Sequence, residues 1–353
     1  MVTVLIFSYN RHSYLRRALT YWATSDCSVI IADGSDSSLL YDFPLNVKYL
    51  HRPNVSVLNR ILEMVSIATT PFVVLGTDDD FIALNGLSVV VEFLNKNADY
   101  SSAQGYYTRF DQRHLNSTPR WFLDYRYASN YSFLDAAMES RLQSAMRPPI
   151  MHYCYSVMQS SAMKKTLDLL RGVEEMSIST FELSFIPGLM SQGKHAALPV
   201  FFGARQTQQQ SWTESMKLDV WIERNSVDGY SKWRANICEL FQEENGCSER
   251  EAARIVDDAI AMCLSGYHAK RLRGEQRQGK RMSLIREIIG GLPNACRENF
   301  RSLRMFVFSI ADLYRMFGFD LKMLSLFRRD WLKIRLAMLA HPIAEIHPAD
   351  DRS

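Results

Sequence analysis

Fully apolar strands alternate with amphipathic helices over residues 2–97, and no other feature limits the fold as tightly. VTVLIFS (2–8), SVIIADGSD (28–36), VKYLHRP (47–53) and PFVVLG (71–76) read as strands. SYLRRALTYWAT (13–24) carries Leu15, Ala18, Leu19 and Trp22 at helical spacing. NVSVLNRILEMVSIA (54–68) does the same with Val57, Ile61, Leu62 and Val65, and NGLSVVVEFLNKN (85–97) gives a third helix. Strands without a polar face need cover on both sides. The pattern therefore predicts an α/β fold with a mostly parallel sheet flanked by helices. In such sheets, ligands bind where loops leave the carboxyl ends of the strands. Asn10, Asp33 and Asp78–Asp80 all follow predicted strand ends.

The alternation loosens after residue 99. YSSAQGYYTRF (100–110), HYCYSVMQS (152–160) and HAALPVFFGARQ (195–206) read as strands. FLDAAMESRLQSAM (133–146), SSAMKKTLDLLRGV (160–173) and STFELSFIPGLMSQG (179–193) read as helices, the last interrupted near Pro187. From about residue 213 the strands stop and helical patterns take over. This predicts an α/β domain over 1–212 and a helical C-terminal region over 213–353, with a charged, linker-like stretch at 273–281.

Three consecutive carboxylates, Asp78, Asp79 and Asp80, directly follow the apolar strand at 71–76. They repel one another and lose hydration unless something positive sits among them. Two readings fit. One is a solvated turn whose last Asp caps a helix. The other is a hard-cation site, with oxygen ligands for Mn²⁺ or Mg²⁺ facing an anionic ligand. Asp33 could accept hydrogen bonds from a nucleobase or ribose, with Ser8, Ser35 and Asn10 as further polar contacts. An aspartate before Gly34 is also an ordinary turn residue. Glu182, the one acid in an apolar helical segment, reads either as a general base with a raised pKa or as a solvent-facing or helix-terminal residue. His152 and Arg205 are further candidates for phosphate or acceptor contacts, and His195 reads as structural. Trp121, Tyr125, Tyr127 and Tyr131 could stack on a sugar ring or pack as a lid. No GxGxxG and no GxxxxGK[ST] occurs, which argues against a dinucleotide fingerprint and a P-loop.

These pieces, taken in order, resemble the family 2-like GT-A glycosyltransferases. VTVLIFSYNRHSYLRRAL, IIADGSDSS, LNRILEMVSIATTPFVVLGTDDDF and FELSFIPGLMSQGKHAAL carry the resemblance, which covers about residues 1–210. It implies a GT-A, Rossmann-like sheet that takes a sugar from a nucleotide-diphosphate donor. Asp33 would contact the nucleotide base, with Ser8, Asn10, Asp78 and Asp79 around the nucleotide. Asp78 and Asp80 would be the DxD carboxylates on Mn²⁺ or Mg²⁺. The family's base is usually the Asp of an "ED" pair; here the pair is Phe181-Glu182, or Glu182-Leu183 in a slipped register, and Glu182 would stand in. The implied reaction is a single inverting displacement onto a hydroxyl of a glycan or lipid-linked saccharide acceptor.

Charge is uneven beneath a net +3, with 16 Lys/Arg against 6 Asp/Glu between Lys270 and Arg335. The C-terminal helices, which interleave these cations with Leu, Phe, Met and Trp, suit packing on the catalytic domain or contact with an anionic membrane surface. No apolar run approaches the roughly 20 residues of a bilayer span, no basic leader precedes the first strand, and the six cysteines are scattered. These features predict a cytoplasmic chain, with peripheral contact at the inner membrane as an option. Three rivals remain. A nucleotidyltransferase would want a glycine-rich loop after the first strand, where SYNRHSYL stands. A degenerate, non-catalytic binding module would fit the missing acidic pair at Glu182. A nucleic-acid binder would leave the acidic rim unexplained, and no nucleic-acid partner is expected.

Overall fold

The computed structural model describes residues 1–111, 120–123, 131–147, 153–173, 178–206, 229–265, 320–341 and 343. Nine strands form one sheet: β1 (Val2–Ser8), β2 (Ser28–Asp33), β3 (Val47–His51), β4 (Phe72–Thr77), β5 (Phe81–Ile82), β6 (Tyr100–Asp111), β7 (Arg120–Leu123), β8 (Val157–Gln159) and β9 (Lys194–Gln206). Their order is β3-β2-β1-β4-β8-β6-β9-β5, with β7 paired to β6. β3, β2, β1 and β4 run parallel. β8 is antiparallel to both β4 and β6, and β6 runs parallel to β9. The carboxyl ends of β1, β2, β4, β6 and β9 therefore share one rim. This is the mostly parallel, helix-flanked sheet that the apolar strands predict. Val4, Leu5 and Ile6 of β1 and Val73 and Val74 of β4 are fully buried.

The described helices are α1 (His12–Trp22), α2 (Val57–Ile67), α3 (Leu84–Lys96), α4 (Met138–Ala145), α5 (Ser160–Asp168), α6 (Ile178–Gln192) and α7 (Gly229–Asn245). They are followed by α8 (249–265) and α9 (Leu321–Ala340). Three details depart from the sequence reading. Residues 133–137 are not helical, because Phe133 forms a β-bridge with His195, and such long-range pairing overrides local propensity. Tyr153–Tyr155 form a 3₁₀ turn, so the strand read over 152–160 shrinks to Val157–Gln159. α6 runs through Pro187 without a break. Phe185, Ile186, Leu189 and Met190 around it are fully buried, and that packing outweighs the lost backbone bond.

Parts of the C-terminal helical region pack on the sheet domain. Trp233 of α7 is fully buried and donates through Nε1 to Ser184 Oγ on α6 at 2.8 Å. Phe327 and Trp331 of α9 meet Phe201 of β9 and Phe110 of β6 edge-on. α3 has no capping side chain of its own. Asp330 of α9 supplies one, its Oδ1 accepting from Asn85 N at 3.1 Å and Asn85 Nδ2 at 2.8 Å. The opposite face of α9 exposes Lys322, Arg328, Arg329, Lys333 and Arg335 beside Leu332, Leu336 and Leu339. Among the described residues no helix is long and apolar enough to cross a membrane. The 212/213 boundary and the stretch at 273–281 lie outside the described residues.

His195 is structural, as its setting on β9 predicts. It is fully buried, its Nδ1 shares a 2.8 Å hydrogen bond with Ser102 Oγ, and its Nε2 has no partner. Burial pushes its pKa down to about 3 from 6.5. Between those values the unfolded chain binds the extra proton, so stability falls as pH drops through that window. At pH 5 the deficit relative to neutral pH is about 2 kcal/mol. His195→Gln is expected to flatten this part of the pH–stability curve. Urea midpoints at pH 7 and pH 5 check this, and an unchanged difference between the two would refute it.

Candidate active site

The loops after β1, β2 and β4 and the carboxyl end of β9 build the rim. Asn10, after β1, has φ of +52°, a conformation Asn tolerates better than most residues. Its N–H donates to Ser35 Oγ at 2.8 Å, and its side-chain amide exchanges hydrogen bonds with Asp36, both at 3.2 Å. Asn10 thus latches the β1 loop to the β2 loop. Arg60 of α2 holds the same junction from below, donating to the carbonyls of Ser8 at 2.5 Å and Ala32 at 3.1 Å. A Cβ on Gly34 would sit 2.6 Å from the Arg60 guanidinium carbon, so a larger residue here would push that guanidinium off the junction.

Asp33 closes β2 and is fully buried. Its Oδ1 accepts from Ser35 N at 2.9 Å and from Ser35 Oγ. Its Oδ2 accepts from Tyr49 Oη at 2.8 Å and His12 Nε2 at 3.1 Å. Four protein donors therefore surround the carboxylate that the sequence assigns to the nucleotide base. In this arrangement Asp33 orders the β2 loop, and a base would reach it only by replacing His12 or Tyr49.

The triple Asp follows β4. Antiparallel pairing of β5 with β9, Phe81 opposite Ala204, sets Asp80 beside Arg205 and Gln206. Asp80 Oδ2 accepts from Arg205 Nε at 3.1 Å, and its Oδ1 from Gln206 N at 2.9 Å. Asp78 Oδ2 accepts from Ser8 Oγ at 2.7 Å, and its Oδ1 pairs with Arg11 Nη1 at 2.9 Å. Arg11 Nη2 reaches Asp79 at 3.0 Å. Burial and then the Asp79 charge push Asp78 up to about 7, against Arg11. The same two causes push Asp80 up to about 6, against Arg205. Burial works against the Arg11 charge, but Asp79 and Asp78 more than offset it and raise its pKa.

Sequence reasoning missed most of the arginines. Arg17 of α1 is fully buried and donates to Asp79 O at 3.2 Å and Gln206 Oε1 at 2.6 Å. Burial lowers its pKa to about 10, against Asp79. Arg11 stood in the "YNR" element without being singled out. Arg205 had been a phosphate candidate, and its guanidinium lies 4.7 Å from the Tyr155 ring centre. Glu182 is half-buried on α6. Burial, then Cys154, raise the Tyr155 pKa well above its ordinary value; Arg205 opposes them, while Glu182 and Asp80 add to the rise. Tyr155 thus feels the charges of Glu182, Arg205 and Asp80 together. Trp121 lies on β7, and Tyr131 is half-buried in the core edge. Tyr125, Tyr127 and His152 fall outside the described residues.

The model of glycosyl transferase family 2 matches residues 3–159. Over that segment, a little under half of the chain, the protein is similar to this family. The matched segment holds Ser8, Asn10, Asp33 and Asp78–Asp80, while Glu182 and Arg205 come from the chain beyond it. No curated protein matches the chain. Among solved structures, S. aureus TarS 1–349 in complex with UDP-GlcNAc is 15% identical with a TM-score of 0.49, over 95% of this chain and 90% of that one. A further S. aureus TarS 1–349 structure is 11% identical, TM-score 0.47, over 96% and 89%. Another S. aureus TarS structure is 14% identical, TM-score 0.46, over 95% of this chain and 54% of that chain.

The family 2 resemblance implies a divalent cation at Asp78 and Asp80, and the folded donor set does not fit one. A hard cation needs carboxylate oxygens that face an open position. Here both oxygens of Asp78 and both of Asp80 accept from protein donors, and a guanidinium bridges to each residue. Among the described residues no group of three or more His, Cys, Asp or Glu is arranged around a metal position.

Proposed function

We propose that the chain transfers a sugar from a nucleoside-diphosphate donor to a hydroxyl of a glycan or lipid-linked saccharide, with inversion. The observation that carries this reading is the convergence, on one rim of the sheet, of the β1, β2 and β4 loops and the end of β9 with Arg11 and Arg205. The guanidiniums suit the charge that grows on a departing diphosphate. Glu182 takes the acceptor's hydroxyl proton. The freed oxygen attacks the anomeric carbon from the face opposite the diphosphate. The old C–O bond breaks, and its electron pair leaves with the nucleoside diphosphate. Asp33, Ser8 and Asn10 shape the nucleotide end of the cleft.

Calorimetric titration with UDP, GDP, CDP, dTDP and CMP tests the reading. One nucleoside diphosphate is expected to bind in the micromolar range and the others at least about tenfold more weakly, a difference of roughly 1.4 kcal/mol. A folded protein that binds none of them would put the non-catalytic binding module in its place.

A further inference from the structure

A departing diphosphate needs positive charge, and three observations bear on its source here. The first is the order of groups met from solvent. Arg11 is 31% exposed over Asp78 at 3% and Asp79 at 15%, and Arg205 is 23% exposed over Asp80 at 13%. An incoming anion meets guanidinium before carboxylate. The second is that Asp78 and Asp80 have no oxygen left without a protein donor. The third is Arg17, fully buried, whose Nε and Nη1 have no hydrogen-bond partner. A third cation with unspent donors therefore lies behind the Asp79 carbonyl.

We propose that this chain binds its nucleoside diphosphate without a divalent cation, using Arg11 and Arg205 as the phosphate-contacting groups. Asp78, Asp79 and Asp80 act as positioning residues that hold the two guanidiniums on the rim. The inference rests on the nucleotide-sugar reading above. A guanidinium is charged at every working pH, and its planar fork matches phosphate oxygens in pairs. Each one is braced by an aromatic ring: the Arg11 guanidinium lies 4.1 Å from the Tyr14 ring centre, and Arg205 rests on Tyr155. Such bracing reduces the side-chain freedom lost on binding. A cation that took these oxygens from their donors would displace both guanidiniums, the Ser8 hydroxyl and the Gln206 N–H.

The test is nucleotide calorimetry on the full chain with UDP, GDP, CDP and dTDP, once in EDTA and once in Mn²⁺. The expected result is binding of the same nucleotide in both, with affinities within about threefold. Binding in Mn²⁺ alone overturns the inference and leaves the transferase reading standing. Binding in neither overturns both. Arg11→Gln and Arg205→Gln are each expected to weaken binding in EDTA by about ten- to hundredfold, the range for losing one charge-assisted contact. Undiminished binding by the folded double variant also overturns the inference. If neither variant folds, the EDTA comparison on the unaltered chain decides.

Discussion

Glu182→Gln is expected to lower the turnover of sugar transfer by about 10²–10⁴-fold, the usual contribution of a positioned general base. Nucleotide affinity should stay within about threefold, because the amide keeps the side chain's shape and removes only its capacity to take a proton. The expectation rests on Glu182's half-buried position on α6 and on its charge reaching Tyr155, the ring that also carries Arg205. Turnover and KM should separate: the first falls while the second holds. A variant that retains full turnover would remove Glu182 from the reaction and leave the inverting mechanism without a base.

Trp233→Ala is expected to destabilise the chain by about 3–5 kcal/mol, the cost of emptying a large buried site. Trp233 is fully buried between α7 and α6, and its Nε1–H loses Ser184 Oγ as well. Ser184 itself remains satisfied, since its hydroxyl also donates to Thr180 O at 2.8 Å. The urea midpoint should fall in one transition, monitored both by fluorescence and by nucleotide binding. Two separated transitions, with the nucleotide site surviving the first, would mean that α7 is not part of the core that holds the site.

The sheet was legible because its strands are apolar on both faces, and only a helix-covered, mostly parallel arrangement buries such strands. β1 and β4 fall within a residue of their sequence-read positions for that reason. The rim was legible too, since Asn10, Asp33 and the triple Asp each follow a strand end. Their partners were not. Arg205 meets Asp80 across 125 positions and Arg11 meets Asp79 across 68, through strand order that no local pattern encodes. Arg17 was hidden by its own setting: it sits beside the apolar stripe of α1, where a cation reads as the edge of the solvent face. The choice between an open metal site and a guanidinium-paired one was hidden on the same ground. Three acids in a row announce a need for positive charge, but not whether an ion or distant arginines supply it.

The cap that α9 lends to α3 ties the end of the described chain to its beginning. A chain stopped before residue 320 would lose Asp330, leave the first amides of α3 unanswered, and uncover Phe201 and Phe110 on the sheet. β9 carries both Phe201 and Arg205, so loosening its outer surface loosens the strand that sets one guanidinium against Asp80. Trimming the tail is therefore an intervention at the rim itself, made through the helix packed on α1 and β9.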